Sequence, residues 1–160
     1  MTLSRAVILI CLIVSISPVY STTITCSTFN EKIESLALNI YHEARNQGKT
    51  GMLLVGEVTI NRVNHSRYPN SICSVIRQRN NRACQFSWVC QKRDYTPYEK
   101  ESWWEAVAIA EEILDDDYEF ISNGATHFLN PRIVKRMPRW TRVFEEVYAY
   151  NSHIFFKKPE

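Results

Sequence analysis

The chain has 160 residues, of which 45% are apolar, 12% aromatic and 22% charged, the composition of a globular domain and not of a disordered or fibrous chain. Nineteen Lys and Arg stand against seventeen Asp and Glu, a formal charge of +2, too small an excess to mark a dedicated nucleic-acid or anionic-membrane protein. Four glycines leave little room for a glycine-rich phosphate loop, and the odd number of cysteines, five, raises the question of a free thiol.

Arg5 precedes the apolar run Ala6 to Val14, and Val19 and Ser21 supply compact residues at the −3 and −1 positions of a cut after Ser21. This layout predicts a secretory signal peptide over residues 1–21 and a mature domain over 22–160. A retained membrane anchor is the rival, but a spanning helix needs about 20 apolar residues, and Ser15, Ser17 and Pro18 interrupt the run well before that. Cleavage removes Cys11 and leaves Cys26, Cys73, Cys84 and Cys90, an even set in a secreted or periplasmic chain, which favours disulfides over a nucleophilic thiol. Three pairings are open. The close spacing of Cys84 and Cys90 suits a loop staple, which would leave Cys26 for Cys73, although sequence does not fix connectivity. No C-x-x-C spacing supports a zinc site.

The elements follow in order. Thr28 and Glu31 frame a capping box, and Ile33, Leu36, Ala37, Ile40 and Ala44 recur at helical spacing, which predicts a helix of about four turns to near Arg45. Gly48 and Gly51 are expected to break the chain before a second helix carrying Met52, Val55, Val58 and Val63. Tyr68-Pro69-Asn70 reads as a turn into a short helix over Ser71 to Arg77. From Gln78 to Tyr95 there is no clear period, which predicts a loop or small β segment held by cysteines. Thr96-Pro97-Tyr98-Glu99 reads as a second capping box opening an amphipathic helix through Trp103, Val107, Ala110 and Leu114. Its acidic end, Glu111 to Glu119, has neither the alternation nor the turn glycine of a calcium loop. The last third reads as short strands, with Trp140 to Tyr150 open to a helical alternative. The fold class is α+β, mainly helical, in one domain.

Glu43 stands out by geometry. At 100° per residue it falls near Leu36, on the flank of the first helix's apolar stripe, with His42 pointing away. In the last helical turn, partial burial and the negative end of the helix dipole both disfavour ionisation. A carboxyl kept protonated near neutrality is what general acid catalysis at a glycosidic bond requires. The competing reading is a structural Glu paired with Arg45 or Arg62. His42-Glu43 lacks the second histidine of a zinc-protease helix, because position 46 is Asn46. The four histidines, His42, His65, His127 and His153, show no metal-ligand spacing. A Cys-His peptidase built on Cys73 or Cys84 with His127 conflicts with an oxidising compartment. Gln85, Phe86, Ser87 and Trp88, with Tyr41, Trp103, Trp104 and Trp140, would suit a saccharide groove in which rings stack on sugar faces; a core role is the alternative. The segment from Arg132 to Arg142 carries five cations and no acid, and faces either solvent or an anionic polymer.

Tyr41-His42-Glu43-Ala44-Arg45, Asn61-Arg62-Val63, Ile72-Cys73-Ser74-Val75-Ile76, Cys84-Gln85-Phe86-Ser87-Trp88, Gly124-Ala125-Thr126-His127-Phe128 and His153-Ile154-Phe155-Phe156 occur in an order that resembles the SleB-like family of spore cortex-lytic cell wall hydrolases. The resemblance implies a lysozyme-like domain that cleaves the glycan strand of peptidoglycan. It further implies a lytic transglycosylase acting between N-acetylmuramic acid and N-acetylglucosamine and leaving a 1,6-anhydro end. On this resemblance Glu43 is the catalytic acid and Gln85, Ser87 and His127 lie near the substrate; Tyr41, Asn61, Phe86 and Trp140 complete the substrate-binding candidates. No cofactor, metal or nucleic acid is implied, and a monomer is expected. The chain departs from the family at Glu57, where a small or apolar residue is usual, and at Asp115-Asp116-Asp117, where a glycine is usual. Glu57, Asp94 or Glu99 would be the second carboxylate of an ordinary muramidase. A non-catalytic peptidoglycan-binding protein is the alternative from another class.

Overall fold

The computed structural model describes residues 26–81, 83–91 and 94–159; the expected signal peptide lies outside the described residues. Helix α1 spans Phe29–Ala44. Its capping box forms as the sequence predicts: the Glu31 amide donates to the Thr28 hydroxyl, and the Thr28 and Ser27 amides donate to the Glu31 carboxylate, which satisfies donors left free at a helix start.

Helix α2 spans Gly48–Val63, so the break expected at Gly48 and Gly51 is confined to the short link before Gly48. Gly48 begins the helix at φ +71°, a conformation that costs glycine little, while Gly51 lies inside the first turns. Gly56 has a packing reason: a Cβ there would sit 2.5 Å from Ile113 Cδ1 and 2.9 Å from Ile40 Cδ1. Its missing side chain is what lets α2 approach its two helical neighbours.

Helix α3, Ile72–Ile76, is capped by Ser71, whose hydroxyl accepts from the Ser74 amide. The cysteine-rich stretch folds as a small hairpin, β1 Arg79–Asn80 and β2 Ala83–Cys84, followed by a 3-10 turn at Ser87–Cys90. Disulfides join Cys26 to Cys73 and Cys84 to Cys90, the preferred pairing of the three. Buried Asn39 joins three parts of this half, donating to Thr59 Oγ1 at 3.0 Å and accepting from Trp88 Nε1 at 2.9 Å.

Helix α4, Lys100–Ile113, starts later than the second capping box predicts. The amide and hydroxyl of Thr96 both donate to the Asp94 carboxylate, at 2.9 and 2.6 Å, so Thr96 is held in an Asx-type turn instead of capping a helix. The amides of Tyr98 and Glu99 donate instead to the Tyr41 hydroxyl of α1. The buried face of α4 is Ala106, Ile109, Ala110 and Ile113. It packs with Leu36, Ile40, Val55 and Val58 into the core.

The C-terminal third is a three-stranded antiparallel sheet of β3 His127–Leu129, β4 Glu145–Tyr150 and β5 His153–Lys157, in the order β3-β5-β4. The helical alternative for Trp140 to Tyr150 fails: Arg139–Arg142 makes one 3-10 turn, and Glu145–Tyr150 pairs with β5 through a bulge between Glu146 and Tyr148. Since β3 and β4 both run antiparallel to β5, residues 130–144 form a strap that crosses one face of the sheet. Trp140 packs on Phe156 there, ring centroids 5.2 Å apart, while Phe155 points into the helical core. Among the described residues no helix is long and apolar enough to cross a membrane.

Candidate active site

Glu43 sits half-buried in the last turn of α1. Among the described residues no hydrogen bond reaches its carboxyl. Burial pushes its pKa up to about 7, with the positive charge of Arg62 pulling the other way. The direction is the one expected from its place on the helix flank.

Arg62, in the last turn of α2, is 2% exposed. Its Nε donates to the Thr126 carbonyl at 2.6 Å, and its guanidinium lies 5.0 Å from the Phe86 ring centroid and 5.6 Å from that of Tyr68. Nη1 is buried without a hydrogen-bond partner. Loss of hydration lowers the Arg62 pKa to about 10, against stabilisation by Tyr68 and Glu43, so the side chain stays cationic at neutral pH. Arg45, the other candidate partner of Glu43, is committed elsewhere: its Nε bonds Glu99 at 2.8 Å and its Nη2 bonds the Tyr98 hydroxyl at 2.7 Å.

His127 opens β3 and is half-buried between aromatic neighbours, with ring centroids at 4.7 Å to Phe144, 5.0 Å to Trp140 and 6.3 Å to Tyr68. Burial, and then the charges of Arg62, Lys158 and His65, lower its pKa to about 3. It is a neutral imidazole across the physiological range, suited to hydrogen bonding and ring contact. Its Nδ1 lies 3.1 Å from Thr126 Oγ1.

The remaining sequence candidates divide. Gln85 and Trp140 are half-buried and Ser87 is exposed. Asn61 donates to Ser122 Oγ and to the Ala125 carbonyl, tying α2 to the loop that delivers Thr126 and His127. Tyr41 and Phe86 are 0% and 2% exposed and present no ring face to a sugar. The Tyr41 hydroxyl is spent on the Tyr98 and Glu99 amides, and Phe86 lies beneath the Arg62 guanidinium. His42 does not point away into open solvent, because its ring stacks on Trp88 at 4.6 Å and its Nε2 lies 3.1 Å from the Tyr95 carbonyl.

Each possible second carboxylate is engaged. Glu57 is fully buried and accepts from the Tyr118 hydroxyl at 2.5 Å, the Ile121 amide at 3.0 Å and the Ser122 amide at 2.7 Å. Asp94 holds Thr96, and Glu99 is paired with Arg45. The Cys-His alternative is corrected, since Cys73 and Cys84 are both in disulfides. Sequence reasoning missed Tyr68 and Lys158, whose Nζ lies 5.1 Å from the Tyr68 ring centroid. The only signal at Tyr68 was the turn made with Pro69 and Asn70.

The cell wall hydrolase family model matches residues 46–156, beginning three residues after Glu43. No curated protein matches the chain. The catalytic domain of the germination-specific lytic transglycosylase SleB from Bacillus anthracis is similar over 84% of this chain and 100% of its own, at TM-score 0.62 and 24% identity. The catalytic domain of the Bacillus cereus SleB protein is similar over 86% and 99%, at TM-score 0.62 and 19% identity. The shared fold confirms the lysozyme-like, mainly helical class, and with the family match covering most of the sequence, the chain belongs to the SleB-like cell wall hydrolase family of enzymes.

Proposed function

We propose that this protein is a lytic transglycosylase that cleaves peptidoglycan between N-acetylmuramic acid and N-acetylglucosamine with Glu43 as its single acid and base. The observation that carries the proposal is the desolvated Glu43 carboxyl, poised near neutrality beside the Arg62 cation. Protonated Glu43 gives its proton to the glycosidic oxygen as the C1–O bond breaks. The resulting carboxylate removes the proton from the C6 hydroxyl of the same muramic residue while that oxygen attacks C1, closing the 1,6-anhydro ring and restoring the acid. One group serves both steps because the substrate supplies the nucleophile. Arg62 favours the ionised interval between them.

Gln85, Ser87, His127 and Trp140 position the sugar. A hydrolytic muramidase would need a second carboxylate about 5 to 9.5 Å from the first, and the hydrogen bonds held by Glu57, Asp94 and Glu99 weigh against each of them. The enzyme acts outside the cytoplasm, in the cell wall.

The test is digestion of purified peptidoglycan and identification of product ends by mass spectrometry. Anhydro ends are expected, and Glu43→Gln should abolish their release. Reducing ends would establish hydrolysis instead, and free stem peptides would remove both glycan-cleaving mechanisms. Full activity in Glu43→Gln would refute the assignment of the acid.

A further inference from the structure

We propose that the strap of residues 130–144 is a docking surface for an anionic phospholipid bilayer. The net charge conceals a strong segregation. The strap carries Arg132, Lys135, Arg136, Arg139 and Arg142 and no acid; outside it and the expected signal peptide, thirteen Lys and Arg face seventeen Asp and Glu. The rest of the mature chain is therefore net negative, and its positive field is gathered on one crossover. All five cations are exposed, and among the described residues none forms a salt bridge. The nearest following acids, Glu145 and Glu146, begin β4.

Charge alone would suit any polyanion. The apolar side chains decide the partner. Ile133 is 77% exposed, Val143 69% and Met137 44%, interleaved with the cations on the same strap. The strap's own anchors are elsewhere, since Trp140 and Phe144 turn inward onto His127 and each other. A soluble phosphodiester polymer offers nothing to Ile133, Met137 and Val143, whereas a bilayer accepts apolar tips at the acyl boundary while its headgroups meet the cations. Each cation near an anionic leaflet strengthens binding about fivefold, so five give a preference of roughly three-thousandfold over a neutral bilayer. The contact is peripheral, consistent with the absence of a spanning helix among the described residues.

The experiment is sedimentation of the mature protein with phosphatidylcholine vesicles, alone or with about a third phosphatidylglycerol, at low and high salt; the result does not depend on turnover. Binding to the anionic vesicles only is expected. Replacing the five cations by Gln should weaken it at least a hundredfold. The triple variant Ile133→Ser, Met137→Ser, Val143→Ser should lose at least tenfold at high salt, where charge attraction is screened. Both variants should keep the wild-type circular dichroism spectrum and cleave soluble glycan fragments at the wild-type rate. Equal vesicle binding by all three proteins overturns the proposal. So does a soluble teichoic acid that binds wild type and the triple Ser variant equally and displaces the vesicles, because the strap is then a polymer site.

Discussion

Keeping Glu43 uncharged near neutrality has a measurable cost to the fold. Its pKa rises from an ordinary 4.5 to about 7, a shift of about 2.5 units, and each unit is worth 1.36 kcal/mol. Below about pH 4.5 the carboxyl is protonated in both folded and unfolded chains and the cost vanishes. Between about pH 4.5 and 7 the unfolded chain releases the proton while the folded chain keeps it, so stability falls as pH rises. Above pH 7 the folded enzyme carries a desolvated carboxylate, and the loss levels off at about 3 kcal/mol. Glu43→Gln keeps the shape and removes the titration. Urea unfolding of wild type and variant should therefore coincide near pH 4 and diverge to about 3 kcal/mol in favour of the variant by pH 8, roughly 10 °C in Tm for a domain of this size. Parallel stability curves across that range would show that Glu43 is not desolvated and would refute the basis of its role.

The rate of anhydro-product release should fall above about pH 7 as Glu43 ionises. Arg62→Met removes the charge that holds that value down, and should move the alkaline limb to higher pH in a pH-rate profile. Glu57→Leu leaves the Tyr118 hydroxyl and the Ile121 and Ser122 amides without their acceptor, a loss of about 3 kcal/mol or more in urea unfolding. The turnover of the folded fraction should stay within a few-fold of wild type, whereas abolished turnover in folded protein would reinstate Glu57 as a second catalytic carboxylate. Removing the Cys26–Cys73 bridge, with a separation of 47, should cost about 4 kcal/mol by chain entropy. Removing Cys84–Cys90, with a separation of 6, should cost about 2; thermal unfolding of the paired Cys→Ala variants measures both.

The helical half was legible in the sequence because its determinants are local. Thr28 and Glu31 cap α1, Ser71 caps α3, and the apolar period of α1 places Glu43 on the flank of the core. The misplaced starts of α2 and α4 have specific physical causes. Gly48 opens a helix where it was expected to break the chain, and Asp94 captures Thr96 before it can cap. The site was legible only in part. The position of Glu43 follows from one helix, but the burial of Tyr41 and Phe86 depends on partners dozens of residues away, which no periodicity encodes. The same holds for Glu57: a carboxylate in an apolar helix stretch signals either chemistry or a buried anchor, and only the loop at Tyr118 to Ser122 distinguishes them.

The order β3-β5-β4 has a consequence for biogenesis. The middle strand of the sheet comes last of the three in the chain, so neither β3 nor β4 has a neighbour to pair with until His153–Lys157 arrives. A polypeptide that emerges N-terminus first can assemble α1, α2 and α4 as they appear, yet β3 and the strap lack their sheet partner until Phe156 is delivered. The face of the candidate site that carries His127 is therefore completed only after the helices that carry Glu43 and Arg62.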